Sequence, residues 1–383
     1  MTYRRVCVVT GTRADYGLLR PVMRALDRAD DFELLTVVTG AHLAPEFGMT
    51  VGAIVEDGFE VAERIEMLLA SDTPVGISTS MGLATIGMAS TLERLRPDLL
   101  MVLGDRYEIL AVVQAALIAK VPVAHLSGGD ITEGAVDDAI RHAVTKLSHL
   151  HFVTNEGSAR RVIQMGEDPR RVVVAGNPGL DDLIDFEPMS REELERTLGL
   201  HLRARNLLVT YHPVTLAEES PRQAFSQVLE ALDGLGSDLG LIFTLPNADT
   251  DGRVLIEMVN DFVESRPNAV AHDSLGQERY WSCLKCVDAV VGNSSSGLSE
   301  APAVGVAAVN IGERQRGRLR APSTIDCAAD ATVIGEAIAR ALEQGGVAAT
   351  SPYGDGHAVE RIMASLRSVD DPRSLLQKRF HTI

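Results

Sequence analysis

The chain has 383 residues, room for roughly two to three domains at about 150 residues each. Its 45% apolar and 23% charged composition excludes the disordered, collagen-like and disulfide-scaffold classes. With 36 basic side chains against 53 acidic ones the net charge is −17, which opposes non-specific attraction to nucleic acid or an anionic membrane, so a phosphate-bearing ligand needs a local basic pocket.

In chain order, short Val/Leu/Ile runs alternate with segments of helical period. Val6-Cys-Val-Val-Thr10, Leu34-Leu-Thr-Val-Val-Thr39, Leu99-Leu-Met-Val-Leu103 and Val121-Pro-Val-Ala-His125 read as buried parallel strands. Between them Leu18, Leu19, Val22, Met23 and Leu26 recur at helical steps, and Ile109–Ala119 opens after a glycine-containing turn, as crossover helices do. The alternation resumes with Asn206–Thr210, Leu239–Thr244, Ala269–Ala271, Val287–Val291 and Val306–Asn310. The fold class expected is α/β, with two Rossmann-like halves.

Turn-formers at Gly176-Asn-Pro-Gly179 followed by a polar stretch place the domain crossing near residue 175. The division expected is 1–175 for the first domain, 176–360 for the second and 361–383 for a C-terminal helix and tail. The start, Met1-Thr-Tyr-Arg-Arg before Val6–Val9, is too brief for a signal-peptide core, and Gln114 and Lys120 interrupt the most hydrophobic stretch, so a soluble chain without a membrane span is expected. Four cysteines fit a reducing cytoplasm. Cys283-Leu-Lys-Cys286 has redox or half-zinc spacing but no second ligand pair, and reads as part of a structural helix with no metal.

Ligands of parallel α/β sheets bind beyond the carboxyl ends of the strands, which is where this chain collects its polar residues. The first half supplies Gly11-Thr-Arg-Ala-Asp-Tyr16, Gly104-Asp-Arg-Tyr-Glu108 and His125-Leu-Ser-Gly-Gly-Asp130, leading to Asp137-Asp138 and Arg141-His142. The second supplies Tyr211-His-Pro213, Pro246-Asn-Ala-Asp249, Gly292-Asn-Ser-Ser-Ser-Gly297 with Glu300, and a basic run at Arg314, Arg316, Arg318 and Arg320. The serine-glycine turn either caps a helix or, with the arginines, holds phosphate oxygens. Glu300 either accepts from a ribose diol or complements the helix N-terminus. Asp105, Asp130, Asp137 and Asp138 form a set of carboxylates able to shift one another and divide acid and base roles. Neither GxGxxG nor GxxxxGK[ST] occurs, which removes the usual support for nicotinamide binding or ATP hydrolysis.

Gly11-Thr-Arg-Ala-Asp-Tyr-Gly17, Gly104–Glu108, Ser127-Gly-Gly-Asp-Ile-Thr-Glu-Gly134 with Asp137, Asp138, Arg141 and His142, Tyr211-His-Pro213 and Gly292–Gly297 together resemble the hydrolysing UDP-N-acetylglucosamine 2-epimerases from about residue 5 to 330. The resemblance implies two Rossmann-like domains facing a central cleft (GT-B-type architecture), with no redox cofactor. It implies removal of the C2 proton, expulsion of UDP to a glycal and addition of water, giving N-acetylmannosamine or an analogue.

It assigns catalysis to Asp105, Asp130, Asp137, Asp138 and His212. Substrate binding falls to Arg13, Ser127, Arg141, Asn247, Ser294, Ser295, Glu300 and Arg314. Ser127 stands where some members carry a glutamate, so its role passes to Asp130, and the sugar is open between N-acetylglucosamine linked to UDP or GDP and a UDP-2,4-diacetamido-2,4,6-trideoxyhexose of sialic- or legionaminic-acid synthesis. A glycosyltransferase of the same fold is the rival. The partners expected are the nucleotide-sugar substrate and a second copy in a dimer or tetramer, with no nucleic acid or membrane.

Overall fold

The computed structural model describes residues 4–71, 73–131, 136–213, 220–245, 252–273, 275–346 and 348–382. The chain divides into two compact units, Met1–Asp182 with Tyr353–Ile383, and Leu183–Pro352.

The first unit holds β1 (Arg4–Thr10), β2 (Phe32–Thr39), β3 (Val61–Ile65), β4 (Leu99–Leu103), β5 (Val123–Leu126), β6 (Leu150–Val153) and β7 (Val172–Val174). They form one parallel sheet in the order β3-β2-β1-β4-β5-β6-β7. Helical crossovers cover both faces of such a sheet, so its central strands are apolar without alternation. Successive residues of β1 and β4 feed opposite cores: Val6, Val8, Met101 and Leu103 on one face, Cys7, Val9, Leu100 and Val102 on the other.

The second unit holds β8 (Arg205–Thr210), β9 (Leu239–Thr244), β10 (Ala269–His272), β11 (Ala289–Gly292), β12 (Ala307–Ile311) and β13 (Thr324–Cys327) in the parallel order β10-β9-β8-β11-β12-β13. Gly292 pairs with Thr210 on one side and Asn310 on the other, so the loops after β8, β11 and β12 leave the sheet at one level. A Cβ on Gly292 would lie 1.9 Å from the Thr210 carbonyl oxygen, and its φ of +138° suits glycine alone. That close approach brings the polar loops of β8 and β11 together.

The crossing expected near residue 175 falls instead at Leu183, inside the helix Gly179–Asp185. The reason is local: the Asn177 N–H donates to the Tyr353 carbonyl (2.7 Å), and Asp181 caps the returning helix Ala358–Arg367 by accepting from the N–H groups of Ala358 (3.1 Å) and Val359 (2.7 Å). Ile362, Met363, Leu366 and Leu375 then join the core of β1 and β4, so the C-terminal segment is part of the first unit. Each fully buried side chain there contributes about 1.5–3 kcal/mol.

The longest helix, Pro74–Leu95, has 22 residues and is the one helix among the described residues apolar enough by length and composition to cross a bilayer. Its Ala84, Met88 and Leu92 are buried against the sheet and the helix Tyr107–Ala119.

The tail ends on a buried ionic clasp. Glu167 accepts from Lys146 Nζ (2.5 Å), Lys378 Nζ (2.7 Å) and His151 Nε2 (3.0 Å), while Lys378 also donates to the carbonyls of Lys146 (2.7 Å) and Ser148 (2.6 Å). Burial pushes the Glu167 carboxyl up, but the donors His151, Lys146 and Lys378 outweigh it and hold it at about 2, below its ordinary 4.5. A depressed carboxyl stabilises the fold above pH 4.5 and ceases to as pH falls toward 2. Thermal unfolding across a pH series is therefore expected to show wild type well above Glu167→Gln near neutrality, with the difference closing below pH 4.5. A pH-independent difference would remove the clasp from the acid sensitivity of the fold.

Candidate active site

In the first unit the loops after β1, β4 and β5 are fixed by buried polar side chains. Asp15 accepts from the N–H groups of Gly11 (2.9 Å) and Thr12 (2.7 Å) and from the Thr10 and Thr12 hydroxyls, closing a capping box that starts the helix Arg13–Asp27. Arg13 opens that helix and is exposed. Glu108, buried, lies over Gly11, where a Cβ would come within 2.8 Å of its Cγ; Arg106 Nε donates to it at 2.6 Å.

Arg141 is the hub. It is 6% exposed and projects from the helix Val136–Leu147, donating to the Asp105 carboxylate, to the Asp130 carbonyl (2.8 Å) and reaching Asp138 at 3.6 Å. His142 Nε2 lies 3.4 Å from the other Asp138 oxygen. Burial raises the Asp105 carboxyl above its ordinary value, and Arg141 opposes that without cancelling it. Asp137, one residue before Asp138, is exposed and adds a like charge facing Asp105.

Asp130 is held differently: its Oδ1 accepts the hydroxyls of Thr154 (3.0 Å) and Ser158 (2.5 Å). The turn leading to it is strained, with Ser127 at φ 63° and Gly129 at φ 78°; a Cβ on Gly129 would sit 2.4 Å from the Ser158 carbonyl oxygen. His125, at the end of β5, is fully buried; its Nε2–H donates to the Gly104 carbonyl (2.8 Å) and its Nδ1 accepts from the Thr145 hydroxyl (3.2 Å). Burial pushes this imidazole down to about 3, so it is neutral and supports the peptide just before Asp105.

In the second unit Asn293 plays the organising part. Fully buried after Gly292, it accepts the His212 N–H (2.7 Å) and donates to the His212 carbonyl (2.8 Å); its own carbonyl accepts from Arg314 Nη1 (3.0 Å) and Gln315 Nε2 (2.8 Å). His212, Asn293 and Arg314 thus meet at the mouth of the Ser294-Ser295 turn, where the helix Ser296–Ala303 begins. Oriented N–H groups, hydroxyls and a guanidinium form a setting for phosphate oxygens. Two other arginines of the basic run are engaged elsewhere: Arg320 pairs with Asp326 (2.9 Å) and Arg316 with Glu313 (3.8 Å). Glu300, one turn into the helix, accepts from Trp281 Nε1 (3.2 Å). A cavity of about 660 Å³ beside this loop is lined by Tyr211, Ala224, Gly312 and Cys327, and none of His212, Ser294, Glu300 and Arg314 lines it.

Thus Asp105, Asp130, Asp138 and Arg141 come together in one unit, with Ser127 on the same turn as Asp130, and His212, Ser294, Ser295 and Arg314 in the other; Asn247 lies outside the described residues. Cys283 and Cys286 sit in the helix Gly276–Cys286 as free thiols, both pushed up by burial, Cys283 to about 12, which suits packing rather than redox chemistry. Among the described residues no three His, Cys, Asp or Glu side chains are grouped to hold a metal. The polar supports Asp15, Glu108, His125, Thr154, Ser158 and Asn293 were not among the expected site residues; the signal for Asp15, Glu108, His125 and Asn293 was their position within the strand-end motifs, and Thr154 and Ser158, after β6, carried none.

The sequence profile described as UDP-N-acetylglucosamine 2-epimerase matches residues 24–367. The chain belongs to this family. It is 39% identical over 327 residues to the GDP/UDP-N,N'-diacetylbacillosamine 2-epimerase (hydrolyzing) of Campylobacter jejuni, covering 85% of each chain. It is 34% identical over 375 residues to the UDP-N,N'-diacetylbacillosamine 2-epimerase (hydrolyzing) of Legionella pneumophila, covering 98% of each. The fold is shared with the UDP-GlcNAc 2-epimerase of Methanocaldococcus jannaschii, at TM-score 0.77 and 17% identity over 95% of this chain and 100% of that one. The Neisseria meningitidis enzyme bound to UDP-GlcNAc gives TM-score 0.75 and 18% identity over 95% and 100%.

Removing one partner from a buried ion pair leaves an uncompensated charge and costs about 3–5 kcal/mol. Arg141→Met, which takes the cation from Asp105 and leaves Asp138 with His142, is expected to destabilise by about that much in urea unfolding, and Asp105→Asn, which leaves Arg141 two acceptors, by less than half as much. Equal midpoints for the two variants would contradict the hub.

Proposed function

We propose that this protein is a hydrolysing 2-epimerase that converts a nucleoside-diphosphate-linked 2-acetamido sugar and water to the free 2-epimeric sugar and the nucleoside diphosphate. The observation that carries the reading is one buried guanidinium, Arg141, gripping Asp105 and Asp138 in unlike surroundings. Environments that separate two carboxyls divide them into acid and base. Asp138, backed by His142, takes the C2 proton; the C2–H electron pair forms the C1=C2 bond of the glycal as the C1–O bond breaks. Asp105, whose carboxyl burial raises, returns a proton to C2 from the opposite face; water adds at C1 and gives up its own proton to the Asp105 carboxylate, and Asp138 releases the C2 proton to solvent.

The second unit stabilises the departing diphosphate. Ser294, Ser295, Arg314 and His212 supply donors and positive charge to its oxygens, and Glu300 accepts from the ribose diol. The reaction is redox-neutral and calls for no electron carrier.

For the sugar, we favour a UDP- or GDP-linked 2,4-diacetamido-2,4,6-trideoxyhexose, supported by the names of the relatives at 39% and 34% identity. UDP-N-acetylglucosamine is the second reading, supported by the 30%-identical UDP-N-acetylglucosamine 2-epimerase of Neisseria meningitidis. The glycosyltransferase alternative loses ground to the family assignment. The reading includes a cytoplasmic homo-oligomer; exposed Val75, Leu83 and Ile86 on the helix Pro74–Leu95 support self-association.

The test is product NMR in deuterated water without any acceptor, across UDP- and GDP-linked diacetamido sugars and UDP-N-acetylglucosamine. Expected is free 2-epimeric sugar with one deuterium at C2, fastest with a diacetamido substrate. Asp105→Asn is expected to slow turnover by about 10²–10⁴-fold while leaving UDP affinity in calorimetry unchanged. Nucleotide release with no deuterium at C2 would sink the proposal.

A further inference from the structure

The chain contains a single tryptophan, Trp281, and it is spent on Glu300. Trp281 is 6% exposed, on the helix Gly276–Cys286, with its ring edge-on to Phe186 (centroids 5.4 Å apart, 68° between planes). Its indole N–H, which can only donate, meets Glu300 Oε1 at 3.2 Å. The residue before it, Tyr280, donates its hydroxyl to Ser296 Oγ at 2.6 Å. Ser296 and Glu300 are one turn apart on the helix that follows the serine turn, so two adjacent ring side chains hold both ends of that turn.

A glutamate side chain has three rotatable bonds and loses affinity for a ligand if it must be ordered at the moment of binding. A buried indole cannot follow a wandering carboxylate, so the bond fixes Oε1 and leaves Oε2 as the acceptor. We infer that Trp281 is a positioning residue that presents Glu300 to the ribose diol, making this enzyme's grip on the nucleoside depend on an indole N–H. This rests on the ribose role given to Glu300 above.

Calorimetry of UDP and 2′,3′-dideoxyuridine diphosphate binding to wild type, Trp281→Phe and Glu300→Gln tests it. Wild type is expected to prefer UDP by about tenfold or more, as hydrogen bonds to a charged acceptor give. In Trp281→Phe that preference is expected to fall below about threefold, with dideoxy affinity nearly unchanged; a loss of packing alone would weaken both ligands and keep their ratio. In wild type the lone tryptophan's emission should shift with UDP and hardly with the dideoxy compound. A Trp281→Phe variant that keeps the wild-type ratio overturns the inference while leaving the role of Glu300 standing. Failure of wild type to discriminate, or a Glu300→Gln variant that discriminates as wild type does, overturns the ribose assignment and the inference with it.

Discussion

A guanidinium taken out of water must find partners for its donors, and in this protein that requirement shapes the first unit. Arg141 is buried where the loops after β4 and β5 meet the helix Val136–Leu147, and its partners come from all three: the Asp105 carboxylate, the Asp130 carbonyl and Asp138. A charge-assisted pair in a dry setting is strong, and leaving it half-made is costly, so the loops have little freedom to part. The same geometry puts two carboxyls within reach of one cation, Asp105 bonded to it and Asp138 at 3.6 Å with His142 on its other oxygen, and the proposed mechanism uses that difference.

The second unit solves a comparable problem with a neutral side chain. Asn293 has a donor, an acceptor and its own carbonyl, and all are used on His212, Arg314 and Gln315. Gly292 makes this possible by letting β11 run against the Thr210 carbonyl. One unit therefore concentrates acids around a buried cation, and the other concentrates donors at a turn. The proposed reaction calls for both kinds of group, a carboxylate to take a proton and donors to stabilise a departing anion.

Much of this was legible in the sequence, because a parallel sheet buries its strands as apolar runs and exposes its chemistry just after them. Leu99–Leu103 and Leu239–Thr244 are strands with the bounds the apolar runs mark. The polar β3, with Glu63 and Arg64 in its middle, carries no such run, and β7 is only three valines long; both are set by pairing with neighbours. Four arginines in a row of alternate positions are equivalent in sequence, yet Arg314 donates to the Asn293 carbonyl while Asp326 takes Arg320 and Glu313 takes Arg316. Trp281 escaped notice for a like reason: a buried ring with one hydrogen bond has the sequence signature of core. The C-terminal helix joins the first unit through Asp181, 177 residues before the N–H it caps, a link no local pattern can show.

The proposed chemistry requires a proton to leave C2 as the nucleotide leaves C1. It is tested most directly by one turnover of a substrate carrying deuterium at C2 and oxygen-18 in the bond bridging sugar and phosphate, with both products weighed by mass spectrometry. Expected are a sugar that has lost its deuterium and a nucleotide that has kept all the heavy oxygen. A sugar that retains the deuterium, or takes the heavy oxygen with it, would contradict it.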